Sequence, residues 1–225
     1  MKEYFSRQVL IWGEEGQRKL KETVVLVAGA GGLGTNVVQC LARLGLGKIY
    51  IVDHDQVSFS DLNRQVFFTT QHVGYPKVNI IKEKIEKELG TSEVIPLKTK
   101  IDRNFFIPEE VRIVIDALDN WETRFILEEK CYFRGIPFIH AGIYRHFGQI
   151  TTIFPGKTRR LKDIFAGVKE ETAPVPSHLP ICMIVAGIQA MELIKLVLNF
   201  GELLLNRLLV IDLLTFSFEI IPLEG

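Results

Sequence analysis

The sequence predicts an α/β fold, a mainly parallel sheet with helices on both faces and antiparallel strands in the C-terminal part. Three observations support this prediction. Up to residue 142, short β-branched runs alternate with segments of helical period, as in parallel strands joined by helices. The glycine-rich stretch GAGGLG, residues 29–34, joins the first of these runs to the first helix. Beyond residue 142 the alternation stops, and strand-like stretches lie on either side of one long apolar segment.

The parallel part of the sheet is predicted from five buried or half-buried runs, which are residues 23–29, 48–53, 92–98, 112–118 and 137–142. Helices are predicted from the glycine-rich turn to about Leu44, over about 76–89, and over the amphipathic segment 120–135. In the C-terminal part, YRHFGQITTIFPG (144–156) is typical of an antiparallel strand. Residues 156–180 form a polar crossing loop, 181–201 a long apolar helix, and 207–223 two terminal strands.

Composition excludes several classes of protein. With 225 residues, 47% of them hydrophobic, the chain can form one sizeable domain, and we expect residues 1–225 to be a single unit because no linker divides them. The 27 basic and 27 acidic side chains cancel, so neither nucleic acid nor a membrane is an expected partner. Cys40, Cys131 and Cys182 are odd in number and far apart, which favours a reduced, cytoplasmic protein. No signal peptide and no apolar run near the length of a membrane span is predicted.

The stretch GAGGLG matches the GxGxxG pattern of Rossmann-like folds, directly after a strand and at the start of a helix. Its first glycine, Gly29, permits the tight turn, and the second, Gly31, lets a phosphate approach the backbone at the positive helix end. Asp53 ends the second strand, where a carboxylate can accept ribose hydroxyls. The motif predicts a nucleotide site. By itself it does not choose NAD over ATP, and a structural turn is the alternative.

Charged residues after the second strand favour a nucleotide that is cleaved. Arg64 and Lys77 follow in turn-rich segments, and such cations stabilise the negative charge that grows during phosphoryl transfer. Asp119 lies just past the end of a buried strand, where a carboxylate can hold Mg²⁺. Asn120 can cap the next helix. The alternatives are solvated surface charges for the cations and an N-cap role for Asp119.

Taken together, these motifs resemble the ThiF, MoeB and HesA family, the bacterial relatives of ubiquitin-activating enzymes. The resemblance begins at YFSRQVLIWGEEGQRKL and continues through GAGGLG, DHDQVSFSDLNRQ, GYPKV, DALDN, GQITTIFPG and LPICMIVAGIQAMELIKLVLNFG. It implies an ATP-dependent adenylyltransferase that activates the C-terminal glycine carboxylate of a ubiquitin-like sulfur-carrier protein, of the kind serving thiamine or molybdopterin synthesis, and releases pyrophosphate. It also implies a homodimer.

The resemblance assigns residues position by position. The nucleotide loop comprises Gly29, Gly31, Gly32 and Gly34, and ribose is contacted by Asp53 with Asp55 close by. The phosphates are contacted by Arg64 and Lys77, with Asn63 and Gln65 on either side of Arg64, and Asp119, followed by Asn120, positions Mg²⁺. Arg7 matches the arginine that such dimers offer to the ATP of the neighbouring protomer.

Three departures from the family qualify these assignments. Many members carry two CxxC pairs that hold a structural zinc; this chain has none, so zinc is not expected. Cys182 is the cysteine nearest the crossing loop, and it is either a nucleophile with a pKa lowered by a helix start or a small buried hydrophobe. Asp61 replaces the usual asparagine of SNLxRQ, which adds a negative charge near the phosphates and indicates reduced activity or an altered substrate.

Two other functions remain open from the sequence. One is a related enzyme that adenylates a small-molecule or tRNA-attached carboxylate. The other is a catalytically inactive ATP-binding partner subunit, which the Asp61 substitution favours. For His140 and His146, which lie near the predicted sheet edge without a paired ligand at metal-binding spacing, structural roles are favoured.

Overall fold

The computed structural model describes residues 3–170 and 175–223, and its strands form one eight-stranded sheet in the order β3-β2-β1-β4-β5-β6-β7-β8. The strands up to β5 pair in parallel and the later pairs are antiparallel. This confirms the predicted mixed sheet. The strands are β1 (Val24–Ala28), β2 (Lys48–Val52), β3 (Glu93–Leu97), β4 (Ile113–Asp116), β5 (Phe138–Tyr144), β6 (Phe147–Ile153), β7 (Arg207–Asp212) and β8 (Ser217–Pro222).

The helices follow the predicted segments closely, with two additions. They are α1 (Ser6–Glu22), α2 (Gly32–Leu44), α3 (Lys77–Lys84), α4 (Trp121–Phe133), α5 (Leu161–Ile164) and α6 (Leu179–Leu198). A π-helical turn, Ile85–Leu89, extends α3, and short 3₁₀ turns lie at Phe59–Asp61 and Thr70–His72. The sequence did not predict α1, nor the single turn α5 inside the crossing loop. Of that loop, residues 171–174 lie outside the described residues.

The two faces of the sheet bury separate cores, because successive strand residues point to opposite faces. In β1, Val25 and Val27 belong to one cluster, whereas Leu26 and Ala28 belong to the other. The first cluster includes side chains of α2 and α6, such as Val37, Leu41, Val185 and Leu193. The second includes Leu127 of α4 and Leu161 of α5. Helices therefore cover both faces, as predicted.

The sequence predicted no apolar run long enough to span a membrane, and this prediction is wrong for α6. Among the described residues, α6 is the one helix that is long and apolar enough to cross a membrane, judged by length and composition only. It has 20 residues and a mean hydropathy of 2.0. Half of its apolar stretch is buried inside the protein, and it packs against α2, β5 and β6. It also carries the buried Glu192, which accepts hydrogen bonds from Thr152 Oγ1 at 2.7 Å and the Leu204 amide at 2.9 Å. In this structure α6 forms part of the core.

The glycine-rich turn is shaped by two close approaches of backbone to backbone. Gly29 has φ +97, and a Cβ there would lie 2.5 Å from the carbonyl oxygen of Ala117, just after β4. A Cβ on Gly34, inside α2, would lie 1.8 Å from the carbonyl oxygen of Gly29. No larger residue fits either position without moving backbone, so these glycines bring α2, β1 and the end of β4 together.

We predict that Gly34→Ala lowers the free energy of unfolding by at least about 2 kcal/mol, because the added methyl group overlaps a backbone oxygen that cannot move alone. Gly187→Ala, in α6, is the matched control, since a Cβ at Gly187 meets no atom within 4 Å. The free energy of unfolding of Gly187→Ala should stay unchanged or rise by up to about 1 kcal/mol, because alanine has a higher helix propensity than glycine. Urea unfolding measures both, and equal stabilities of the two variants would contradict the packing role of Gly34.

Candidate active site

A cavity of about 770 Å³ opens at the carboxyl ends of the parallel strands. It lies where β1 has β2 on one side and β4 on the other, the switch point at which open α/β sheets bind ligands. Its lining runs from the glycine-rich turn past the ends of β2 and β4 to the β5–β6 hairpin and the crossing loop. Most of the predicted nucleotide-binding residues and the β5–β6 hairpin therefore line the same cavity.

Three of the four predicted loop glycines, Gly29, Gly31 and Gly32, line this cavity. Gly31 is the N-cap of α2, with extended backbone and no side-chain cap, and a Cβ there would meet nothing within 4 Å. Gly31 therefore leaves open space at the start of α2, where the backbone N–H groups of a first helical turn can bind a phosphate. Gly34 has the different role of packing against Gly29.

Asp53 fastens the glycine-rich turn to the end of β2. Its Oδ2 accepts a hydrogen bond from the Ala30 amide at 2.7 Å, and its Oδ1 accepts one from the Asp55 amide at 2.8 Å. The carboxylate lines the cavity, in the place predicted for ribose recognition. Among the described residues, the ligand atoms of Asp53, His54 and Asp55 lie within 4.8 Å of one another, so this corner also concentrates negative charge.

Lys77 is brought into the cavity from the first residue of α3. It is 5% exposed, and its Nζ lies 3.4 Å from Asp55 Oδ2 and 3.5 Å from Asp61 Oδ2. A buried ammonium group needs such partners, because an unpaired charge is costly away from water. The two carboxylates therefore hold the lysine at the cavity wall.

Arg64 lies on the same wall and is half-buried. Its Nη1 donates to the carbonyl oxygen of Ser60 at 2.7 Å and to Asn63 Oδ1 at 3.1 Å. Asn63 is exposed and orients the guanidinium, whereas Gln65 is buried and lines the cavity. The structure thus places Arg64 and Gln65 at the cavity, with Asn63 behind Arg64.

Asp61 does not present a bare negative charge to the cavity, which corrects the concern raised by the sequence. Its Oδ2 accepts hydrogen bonds from the amide of Ser58 at 2.8 Å and the hydroxyl of Ser58 at 2.9 Å. Its Oδ1 accepts from Gln65 Nε2 at 2.6 Å. Burial alone would raise the pKa of Asp61, but the Ser58 hydrogen bonds and the charges of Lys77 and Arg64 outweigh it and hold the pKa below its usual value. Asp61 is an ion-pair partner that holds Lys77 in place.

Asp119 and Asn120 lie at the start of α4, just after β4. Asn120 is the N-cap, as the sequence indicated, because its Oδ1 accepts a hydrogen bond from the Thr123 amide at 2.9 Å. Asp119 is exposed, lines the cavity, and accepts from Asn120 Nδ2 at 3.3 Å. Glu170 of the crossing loop, which the sequence did not suggest, accepts from the Trp121 amide at 3.0 Å. The crossing loop is therefore fastened beside Asp119.

The sequence also did not suggest a buried polar cluster beneath the cavity. Asp116 is fully buried, and its Oδ2 lies 2.7 Å from His140 Nδ1 and 3.6 Å from Arg124 Nε. Burial lowers the pKa of His140 despite the neighbouring carboxylate, so the ring is neutral near pH 7. Gln149 Nε2 lies 3.3 Å from His140 Nε2. One signal was present in the sequence, since Arg124 ends the DALDNWETR stretch one helical turn after the N-cap.

Four predicted site residues are not among the described residues that line the cavity: Gly34 and Asn63, discussed above, and Arg7 and Cys182. Arg7 is exposed on α1. Cys182 is fully buried in the core. Of the two alternatives for Cys182, the structure favours the small buried hydrophobe, because burial raises the thiol pKa to about 11 where a nucleophile would need it lowered. Its Sγ lies 3.0 Å from the position of a Cβ on Gly32, so the thiol packs beneath the glycine-rich turn as a small hydrophobe.

Comparison with known proteins is consistent with this geometry. The model of the ThiF family matches residues 5–225. The SAMP-activating enzyme E1 of Haloferax volcanii is 36% identical over 97% of this chain and 84% of its own length. The sulfur carrier protein adenylyltransferase of Thermus thermophilus is 31% identical over 96% of this chain and 84% of its own length.

Solved structures share the fold. A crystal structure of E. coli MccB with ATP has a TM-score of 0.84 and 25% identity, covering 98% of this chain and 70% of the MccB chain. A structure of PaaA has a TM-score of 0.87 at 21% identity, covering 99% of this chain and 83% of the PaaA chain. The second comparison supports the fold alone.

We predict that Asp61→Ala lowers the free energy of unfolding by about 2 to 3 kcal/mol at pH 7, because it removes the acceptor of the buried Gln65 amide and of Ser58, and removes a partner of the buried Lys77. Asp61→Asn, the matched variant, should cost less than half as much, since its oxygen still accepts from Ser58. Urea unfolding measures both variants.

The difference in the free energy of unfolding between wild type and Asp61→Ala should become smaller at acidic pH. The folded pKa of Asp61 is depressed below 3.8, so its contribution is complete above the unfolded pKa and is lost as pH falls through the folded pKa. Wild-type stability for Asp61→Ala at pH 7 would contradict the anchoring role.

Proposed function

The chain belongs to the ThiF family, and on that premise we propose that it is an ATP-dependent adenylyltransferase that activates the C-terminal glycine carboxylate of a ubiquitin-like sulfur-carrier protein. The relatives named SAMP-activating enzyme E1 and sulfur carrier protein adenylyltransferase support this substrate class. The observation that carries the proposal is that Arg64, Lys77 and Asp119 line one cavity with the glycine-rich turn. An NAD-dependent enzyme has little use for two further cations at this place, whereas a triphosphate that is cleaved needs them.

In the proposed reaction a carboxylate oxygen attacks the α-phosphorus of ATP. A new oxygen–phosphorus bond forms, the bond to the leaving pyrophosphate breaks, and the products are an acyl-adenylate and pyrophosphate. A carboxylate is a weak nucleophile, so the protein contributes orientation and charge neutralisation. Lys77 and Arg64 would neutralise the phosphates, and the start of α2 would hold one of them.

Asp119 fits a Mg²⁺ ligand because it is an exposed carboxylate at the cavity edge, the ligand type that this ion prefers. When bound, the ion would neutralise charge on the phosphate oxygens. Asn120 Oδ1 already accepts the helix-cap hydrogen bond from the Thr123 amide, so we assign the metal to Asp119 alone. The proposal of an inactive partner subunit loses its support, since Asp61 is neutralised by Lys77 and hydrogen bonds.

We further propose a homodimer in which Arg7 reaches the ATP of the neighbouring protomer. Arg7 is exposed on α1, away from the cavity of its own chain. Leu10 and Ile11, on the same helix, are 82% and 73% exposed, and adjacent large apolar side chains at this exposure are typical of a protein interface.

We predict that Asp119→Asn reduces carrier-dependent exchange of labelled pyrophosphate into ATP at least about 100-fold, because an amide is a poor Mg²⁺ ligand. Asp102→Asn is the matched control, since Asp102 is exposed outside the cavity lining and should leave exchange unchanged. A carrier ending in Gly-Gly is required in both assays. Near-wild-type exchange by Asp119→Asn would refute the metal role, and wild-type protein without carrier-dependent exchange would refute the proposed function.

Arg7 can be tested by mixing two inactive variants. Arg7→Ala and Asp119→Asn should each abolish exchange, and subunit exchange between them should restore about a quarter of the wild-type rate, because half of the dimers then hold one intact site. Light scattering checks that dimers form. If the mixture stays inactive although mixed dimers are present, Arg7 does not act across the interface.

A further inference from the structure

We propose that Arg124 and Gln149 form a two-donor pocket that binds the carboxylate of the substrate and, after reaction, the carbonyl oxygen of the acyl-adenylate. This inference rests on the proposed function and adds to it the residues that hold the acyl group. The nucleotide half of the cavity has its own cations. The acyl half, lined by the β5–β6 hairpin, needs groups that recognise a carboxylate.

Arg124 and Gln149 converge on Gly142, and all three residues line the cavity. A Cβ built on Gly142 would lie 3.1 Å from Gln149 Nε2 and 3.2 Å from Arg124 Nη1. Two nitrogen atoms that carry N–H groups therefore flank a strand position that has no side chain to cover them. In a cavity wall, this leaves both donors open to one oxygen-bearing ligand.

The amide of Gln149 is oriented by the buried cluster beneath it. Because the Asp116 carboxylate faces His140 Nδ1 at 2.7 Å, Nδ1 carries the ring proton and Nε2 is an acceptor. Gln149 Nε2, 3.3 Å from His140 Nε2, then donates one of its two N–H groups to the ring. The same nitrogen has a second N–H group, which is the one available on the Gly142 side.

The Arg124 side chain is also held in place by its neighbours. It is 6% exposed, its Nη2 donates to the Leu118 carbonyl oxygen at 2.5 Å, and its guanidinium carbon lies 4.8 Å from the Trp121 ring centroid. Asp116 balances its charge. Leu118 immediately precedes Asp119 in the chain. Arg124 is therefore anchored to the residue that precedes the proposed Mg²⁺ ligand.

The two oxygens of the substrate carboxylate have different roles in the proposed reaction. One oxygen of the carboxylate forms the bond to the α-phosphorus as the bond to pyrophosphate breaks. The other oxygen remains as the carbonyl oxygen, and donors that hold it direct the first oxygen at the phosphorus. A buried guanidinium and an amide N–H bind a carboxylate more strongly than donors in water do.

The test compares binding of two probes by calorimetry, AMP and the sulfamoyladenosine of N-acetyl-glycylglycine, a non-hydrolysable mimic of the acyl-adenylate. Wild-type protein should bind the mimic more tightly than AMP. Gln149→Glu should weaken mimic binding about 10- to 100-fold, because a donor becomes a repelling acceptor, while AMP affinity stays within about twofold. Gln71→Glu, at an exposed position outside the cavity lining, is the matched control and should change neither affinity.

Gly142→Ala is a second probe that alters no charge. Gly142 lies inside β5 and is absent from the positive-φ glycines of the described residues, so alanine fits the backbone. The new methyl group would stand over both donors, and mimic binding should weaken while AMP binding persists. In carrier-dependent exchange, both variants should raise the KM for carrier far more than the KM for ATP.

The outcomes separate the two levels of inference. If Gln149→Glu and Gly142→Ala bind the mimic as tightly as wild type does, or if wild type prefers AMP, the pocket assignment is overturned. If wild type shows no carrier-dependent exchange but binds the mimic through Gln149, the substrate class in the proposed function fails and the acyl pocket stands.

Discussion

The contact between Gly34 and the carbonyl group of Gly29 is the constraint on which the rest of the site depends. It holds α2 directly against the end of β1, at a distance that leaves no room for a Cβ. The N-terminus of α2 therefore opens into the cavity at the switch point of the sheet. Two neighbours hold this turn in place: Asp53 fastens it through the Ala30 amide, and Cys182 packs beneath it.

Around this helix end, the protein keeps charged groups buried by pairing them. Lys77 lies between Asp55 and Asp61, and Arg124 lies beside Asp116. Burying such groups singly would cost several kcal/mol each. Paired, they stay at fixed positions, so little reorganisation is needed when phosphates or a carboxylate arrive.

Much of the fold could be predicted because its signals are local. The alternation of apolar residues in β1 determines which side chains reach each core, and the motif GAGGLG marks the strand-to-helix turn with its helix start. The helix cap at Asn120 could also be predicted from the sequence, because its acceptor and donor lie only three residues apart. The helix α1 was missed because its segment is charged and interrupted by Gly13, which has non-helical angles inside the helix. The apolar α6 was underestimated as a possible membrane span, although its burial against α2 and the sheet accounts for its composition.

The sequence by itself determined the fold class, the glycine-rich turn and most of the charged residues that line the cavity, because these follow from periodicity and from motifs of a few residues. Only the tertiary structure decided that the charge of Asp61 is neutralised, that Cys182 is buried with a raised pKa, and that Arg124 and Gln149 meet over Gly142. These outcomes depend on distances between segments that are remote along the chain. Burial and electrostatics act through space, so they are set when the sheet assembles and not by neighbours in the sequence.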